Sequence, residues 1–209
     1  MSVQPPSRGD ATVRRIRHAA LKLFAERGRP ELTVSDLAVA AGLARGTIYS
    51  HLEDARVLFE ELGEHLVDEM SRRLARAGPG TDDPAALLAY GIRQYVRRGH
   101  DEPEWGRFVT RFAYTSRSLQ RLWVTGPGDH LKAGIRRRRF SIRSDQSGAA
   151  MAMLAGAVIA TIAAVLDGEL GWRSAGSLTA EMLLVAFGVD RAEARSLAAL
   201  DLPPLPPPL

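Results

Sequence analysis

Between Gly42 and Leu52 the chain reads GLARGTIYSHL, and this short stretch carries the densest set of chemically useful side chains. Arg45, Thr47, Tyr49, Ser50 and His51 supply a guanidinium, three hydroxyls and an imidazole within seven residues. On a helix, Ile48 and Leu52 fall at i, i+4 spacing and make an apolar foot beneath that polar face. A face of this kind suits hydrogen bonding to phosphates and base edges, so the chemistry it points to is DNA binding rather than bond making.

Catalytic chemistry finds little material elsewhere. The five histidines are scattered, with no HExxH or HxH pair, and no phosphate loop, GxSxG elbow or GxGxxG occurs. Carboxylate pairs such as Glu60-Glu61 and Asp82-Asp83 read as helix surface and cap residues. The absence of cysteine excludes disulfides, thiolate zinc sites and thiol nucleophiles. No catalytic residue, no metal ligand and no cofactor is therefore assigned, and the chain is not read as an enzyme.

The elements that must position the polar face are helices. The segments Val34 to Ala41 and Arg45 to Leu52 flank a Gly42-Leu43-Ala44 corner, with Gly42 at the position where a helix stops in the left-handed conformation. Two helices on so short a turn form a helix-turn-helix unit, whose second helix fits a major groove. Thr33 is placed to cap the first of them, and that helix start can also face a phosphate. Upstream, Asp10 or Thr12 is expected to cap a helix to about Arg27 that Gly28 ends, with Ile16, Ala20, Leu23 and Phe24 on one face. Seven cations from Arg8 to Arg29 face only Asp10 and Glu26, which suits a polyanion partner or, more plainly, a solvated helix face. Downstream, Asp54 is a cap candidate for a long helix to about Ala77, where Leu58, Leu62, Leu66, Met70 and Leu74 make an i+4 ridge.

Residues 12–58 resemble the DNA-binding domain of the TetR family of bacterial transcriptional regulators. The resemblance rests on Ile16, Ala19-Ala20, Phe24, Gly28, Thr33, Leu37-Ala38, Ala41-Gly42, Gly46-Thr47-Ile48-Tyr49, His51 and Leu58, in that order and spacing. It implies that Arg45, Thr47, Tyr49, Ser50 and His51 lie on the DNA side. Within that frame Arg45 suits bidentate readout of guanine, Gly46 lets the backbone come close, and Thr47 and Tyr49 suit phosphate contacts. Three positions depart from the family pattern. Ala44 stands where serine usually caps the reading helix, Leu52 replaces phenylalanine, and Ala55 replaces a phosphate-touching lysine for which Arg56 is the nearest substitute.

The remaining chain is read as helical throughout, giving an all-α fold. It comprises a three-helix helix-turn-helix domain over 10–55, an effector-binding and dimerisation domain over 56–202, and a disordered Pro-rich tail over 203–209. Asp83-Pro84 starts a helix expected to reach about Arg98 and break over Gly99 to Pro103; an aromatic segment from Glu104 to Thr125 follows. Tyr90, Tyr95, Trp105, Phe108, Phe112 and Trp123 either line a ligand cavity or form plain core; the resemblance implies an effector pocket among these helices. Arg136 to Arg139 read as a solvated helix end or a second phosphate-facing patch.

Ala149 to Leu166 is apolar or glycine but for Thr161, close to membrane-spanning length, yet alanine-rich and bracketed by Asp145, Asp167 and Glu169. It reads as a buried helix, and with no apolar N-terminal segment the expected location is the cytoplasm, with no membrane partner. Small residues recur every four along it, including Ala152, Gly156 and Ala160, with Ile159 beside them. One chain hardly covers a helix apolar all round, so a homodimer is expected here, with Met182 and Phe187 from a last helical region over Ser177 to about Leu200, bent at Gly188. An internal core helix is the other reading, and the resemblance implies the dimer. The tail reads as a frayed polyproline II end or a PxxP ligand. The combined expectation is a homodimeric repressor of double-stranded DNA, released from a palindromic operator by a small-molecule effector. A regulator controlled by abundance or a protein partner is the alternative.

Overall fold

The protein is described by a computed structural model that covers residues 8–52 and 57–208, except for the side chain of Arg8. Among these residues every regular element is helical. The head consists of α1 (Arg8–Arg27), α2 (Val34–Ala41) and α3 (Arg45–His51). Asp10 and Thr12 lie inside α1 and do not cap it, because the helix begins before them. The α2 start is a complete capping box: Asp36 N donates to Thr33 Oγ1 at 3.1 Å while Thr33 N donates to Asp36 Oδ2 at 3.0 Å. Gly42, at φ 60°, ends α2 in the left-handed conformation expected there.

The long helix α4 (Leu58–Arg76) follows, with Leu58, Leu62, Leu66 and Met70 all buried. The proposed cap Asp54 lies outside the described residues. Head and body share one continuous core. Phe24 of α1 meets Phe59 of α4 at 5.2 Å between ring centroids, and Phe59 in turn meets Phe108 at 5.6 Å and Phe112 at 5.0 Å. Edge-to-face rings of this kind pack without voids, so α1 is not a loose arm on the body.

The body is arranged around α5 (Pro84–Asp101), which touches α6 (Pro103–Phe112), α8 (Pro127–Arg136), α9 (Ser147–Leu166), α10 (Trp172–Ala186) and α11 (Arg191–Ala199). The expected break at Gly99 does not occur. A Cβ at Gly99 would sit 2.7 Å from Ile162 Cγ2, and one at Gly106 would sit 3.0 Å from the Gly99 carbonyl oxygen. Glycine here serves close approach of α5, α6 and α9, and the chain turns only at Glu102. The aromatic segment divides into α6 and α7 (Arg117–Val124), with Ser116 capping α7 through Leu119 N at 3.2 Å.

Two further expectations are corrected. The last helical region is two helices, because Gly188 takes φ 90° and Asp190 caps α11 afresh. The proline tail does not fray. Arg93, Gln94 and Arg97 of α5 donate to the carbonyls of Leu200, Pro203 and Leu202, and Arg73 and Arg76 of α4 to those of Pro206 and Pro207. Proline removes backbone donors and leaves acceptors, which a row of guanidinium groups can satisfy. Arg136, Arg137 and Arg138 are exposed around the end of α8, and Arg139 is half-buried. Arg137 pairs with Asp82 at 3.3 Å, while Arg139 reaches Asp83 at 2.9 Å and Glu193 at 2.6 Å, tying the starts of α5 and α11 together.

Candidate nucleic-acid interface

On α3 only Ile48 is buried, so the apolar foot is a single peg with Leu52 just beyond it. Arg45, Gly46, Ser50 and His51 are exposed, Thr47 is half-buried, and Tyr49 is 66% exposed. Nothing lies within 4 Å of a Cβ built at Gly46, so the backbone there is open to close approach. Ser50 is partly committed, since its hydroxyl donates to the Thr47 carbonyl at 2.9 Å. No side chain caps α3, in keeping with Ala44 at that position. Arg56 and Ala55 lie outside the described residues.

The basic segment on α1 does more structural work than its charge suggested. Arg15 Nη2 donates to the carbonyls of Ala41 at 2.7 Å and Gly42 at 3.1 Å, sealing the end of α2. Arg27 pairs with Asp36 at 2.7 Å. That contact, with the two hydrogen bonds from Thr33, holds the Asp36 carboxyl well below the usual carboxylate range. Arg17 Nη1 lies 3.4 Å from His65 Nδ1 of α4. Arg14, Lys22 and Arg29 remain exposed. Thr33 is occupied as a cap, its hydroxyl also donating to Asp36 at 2.7 Å.

The six aromatics assigned to a ligand pocket are packed against one another and their neighbours. Tyr95 stands 6.1 Å from Trp105 and 5.4 Å from Trp123, and Phe108 lies 5.3 Å from Phe112. Tyr90 is buried as well. Of the six, Phe112 borders a cleft beside Gly28 and Arg111. The packing is of the ordinary close kind: flat rings fill the space between α5, α6 and α7. The Nε1 atoms of Trp105 and Trp123 are nonetheless buried with no hydrogen-bond partner among the described residues.

The apolar face is sorted by the fold as well. Ala152, Ala160 and Met182 are exposed, Met182 to 71%, and Gly156 is half-buried. Ile159 and Phe187, assigned to the same face, turn inward; Phe187 is 1% exposed and packs 5.8 Å from Phe140. The outward strip is flanked by a Thr161–Thr179 hydroxyl contact of 2.9 Å that joins α9 to α10. By length and composition alone, 144–166 could cross a membrane; seven residues of α9 are instead buried in the chain's own core.

Glu60, expected on the helix surface, is instead half-buried in one of two polar clusters that link helices. Glu60 of α4 accepts from Ser116 Oγ at 3.1 Å and from Ser118 N and Oγ at 3.0 and 2.6 Å, which fastens α4 to the start of α7. Glu69 and Arg73 of α4 interlock with Arg98 of α5 and with Glu102 just past its end, the latter pair at 2.8 Å. The i, i+4 spacing of Glu69–Arg73 and Arg98–Glu102 was the available signal, but nothing local announces that the two pairs meet. Among the described residues no group of three or more His, Asp or Glu is arranged for a metal.

With this geometry in view, a family model described as bacterial regulatory proteins of the tetR family matches residues 16–62. A second, described as the tetracyclin repressor-like C-terminal domain, matches residues 83–200. The HTH-type transcriptional repressor KstR2 of Rhodococcus jostii (strain RHA1) is 30% identical over 139 residues, 60% of this chain and 65% of that protein. The HTH-type transcriptional regulator AcrR of Shigella flexneri is 35% identical over 80 residues, 37% of this chain and 36% of that protein. The chain thus spans less than two thirds of either curated relative. Among solved structures, RolR in complex with resorcinol superposes with a TM-score of 0.65 at 25% identity, covering 95% of this chain and 98% of that one. FadR from Bacillus subtilis in complex with stearoyl-CoA gives 0.69 at 18% identity over 82% and 97% of the two chains, a likeness of fold.

Proposed function

The chain belongs to the TetR family of bacterial regulators, and from that premise we propose that it is a cytoplasmic, homodimeric repressor released from a palindromic operator by a small-molecule effector. The observation that carries this reading is α3, a helix with one buried residue and an exposed face of Arg45, Thr47, Tyr49, Ser50 and His51. In a two-fold dimer, two such helices enter successive major grooves about 34–36 Å apart. The exposed Ala152, Ala160 and Met182, with half-buried Gly156 among them, supply a self-complementary surface for that dimer. Small residues there let a partner helix approach closely.

The effector reading is supported by the buried, unpartnered Nε1 atoms of Trp105 and Trp123, two donors that a polar ligand between α5, α6 and α7 would satisfy. RolR, which shares the fold over nearly its whole length, has been solved with resorcinol bound. The close packing of Tyr95, Trp105 and Trp123 favours a second reading, a regulator controlled by abundance or by a protein partner. Linkage separates the two: an effector that releases DNA must itself be weakened by DNA to the same degree.

The direct test is binding to its own promoter DNA across a salt series. Phosphate neutralisation predicts a linear fall of log affinity with log salt. Arg45→Ala should lower affinity for the preferred sequence by about 1–3 kcal/mol and leave random DNA little changed. Tyr49→Phe should weaken both alike. Equal losses on both DNAs for Arg45→Ala would remove Arg45 from base reading, and a flat salt dependence would sink the DNA-binding role itself.

A further inference from the structure

We propose that the cleft between α1, α4 and α5 is a second ligand site, built for an anionic amphiphile with a carboxylate head and an aliphatic body. The cleft has a volume of about 680 Å³, within the range of small-molecule sites (about 300–1,000 Å³). Its walls come from head and body together: Val13 and Leu21 of α1 face Leu62 and Leu66 of α4, and Pro208 of the tail borders the opening. These aliphatic side chains form the greasy part of the site. It is distinct from the aromatic interior of α5–α7, from which none of Tyr95, Trp105 or Trp123 reaches it.

Charge sets the class of ligand. The cleft is lined by Arg14, Arg17, Arg72 and Arg98, with Asp10, Glu69 and Glu102 as its carboxylates. Glu69 and Glu102 are answered within the cluster by Arg73 and Arg98. Arg14 and Arg72 are exposed and engage in no ion pair among the described residues, so the surplus around the cleft is positive. His65, also lining it, is pushed below its ordinary pKa by burial and then by neighbouring Arg17, against the opposing pull of Glu69 at 3.8 Å.

Arg98 provides the built feature. Its side chain is 2% exposed; Nε donates to Glu102 at 2.8 Å and Nη2 to Glu69, yet Nη1 is buried with no partner among the described residues. A buried donor without an acceptor is destabilising, and a guanidinium takes a carboxylate oxygen more readily than any neutral acceptor. An anionic head group entering past Arg14 and Arg72 would complete the Arg98 set while its chain lies against Val13 and Leu21, which are only half-buried. The position matters because α1 forms one wall, and Arg15 on the same helix holds the α2–α3 corner. An occupant of the cleft therefore pins the head to α4. The binding claim goes beyond the repressor reading and stands without it; only the coupling to DNA rests on it.

The test titrates the full-length protein with decanoate by calorimetry, with 1-decanol as the uncharged control, and maps the site by hydrogen–deuterium exchange at saturation. Saturable decanoate binding is expected, with decanol at least about tenfold weaker. Both rim cations are exposed, so R14Q/R72Q should stay folded and lose about tenfold in decanoate affinity without change toward decanol. Arg98→Gln should lose more, and Trp123→Phe should lose nothing. New protection is expected over residues 13–21 and 62–72. Absent binding, equal affinity for decanol, an unaffected R14Q/R72Q protein, or protection confined to 95–123 would each overturn the proposal. Promoter binding measured without decanoate is scored separately, so a failure of the DNA reading leaves these arms intact.

Discussion

Arg15 Nη2 lies 2.7 Å from the carbonyl oxygen of Ala41, and through that contact the first helix holds the end of the second. Carbonyls at a helix C-terminus lack intrahelical partners and carry the negative end of the dipole, so a guanidinium there satisfies both needs. The same nitrogen also reaches Gly42, the residue that turns the chain toward α3. The basic segment of α1 thus includes a strut for the reading head.

Arg15→Ala should cost about 1–2 kcal/mol, the usual worth of a hydrogen bond from a charged donor, read as a lower midpoint in urea. DNA affinity should fall further than this loss of stability explains, because the α2–α3 corner loosens. Arg15→Lys should recover part of the stability. Unchanged stability and affinity in Arg15→Ala would show that the strut is dispensable.

Asp36 predicts an acid limb in head stability. Hydrogen bonds from Arg27 and then Thr33 depress its folded-state pKa. A depressed carboxyl stabilises the fold above its unfolded value near 4, and that contribution drains as pH falls below it. Melting temperatures of wild type and Asp36→Asn should therefore differ at pH 7, and the gap should narrow steadily as pH falls below about 4. A constant gap across that window would assign the effect to something other than ionisation. Thr33→Ala, which removes the other half of the capping box, should cost about 1 kcal/mol.

The Glu69–Arg73–Arg98–Glu102 cluster locks α4 to α5. Burial lowers the pKa of Arg98, and the two carboxylates oppose that shift. Arg98→Met leaves Glu69 and Glu102 sharing Arg73, and breaking a buried network from one side costs about 3–5 kcal/mol. Chemical denaturation should register that loss. A penalty under about 1 kcal/mol would mean that water already screens the cluster.

Met182 and Phe187 should separate dimerisation from folding. Met182→Arg places a charge on the outward face and should yield monomers of unchanged secondary structure in sedimentation. Phe187→Ala opens a cavity in the protomer and should cost about 3–5 kcal/mol of stability. A Met182→Arg protein that still sediments as a dimer would move the interface elsewhere.

The features legible in the sequence were those that neighbours along the chain decide. Thr33, Gly42, Asp83-Pro84 and the leucine ridge of α4 all act over a few residues, so helix starts, stops and buried faces could be read directly. The same locality made the helix-turn-helix and its polar face visible. Gly99 misled because a glycine that admits a neighbouring helix looks the same, in sequence, as one that ends its own.

The all-α character, the helix-turn-helix and the family were thus determined by the sequence alone, since they rest on local hydrogen bonds and on periodicity. Tertiary structure alone decided which way a uniformly apolar helix turns, sending Ile159 inward and Ala160 outward, because α9 has no polar face to orient it. It also decided which charges meet. Arg139 with Glu193, Arg73 with the Pro206 carbonyl and Arg98 with Glu69 are brought together only by packing, and no spacing along the chain encodes such encounters.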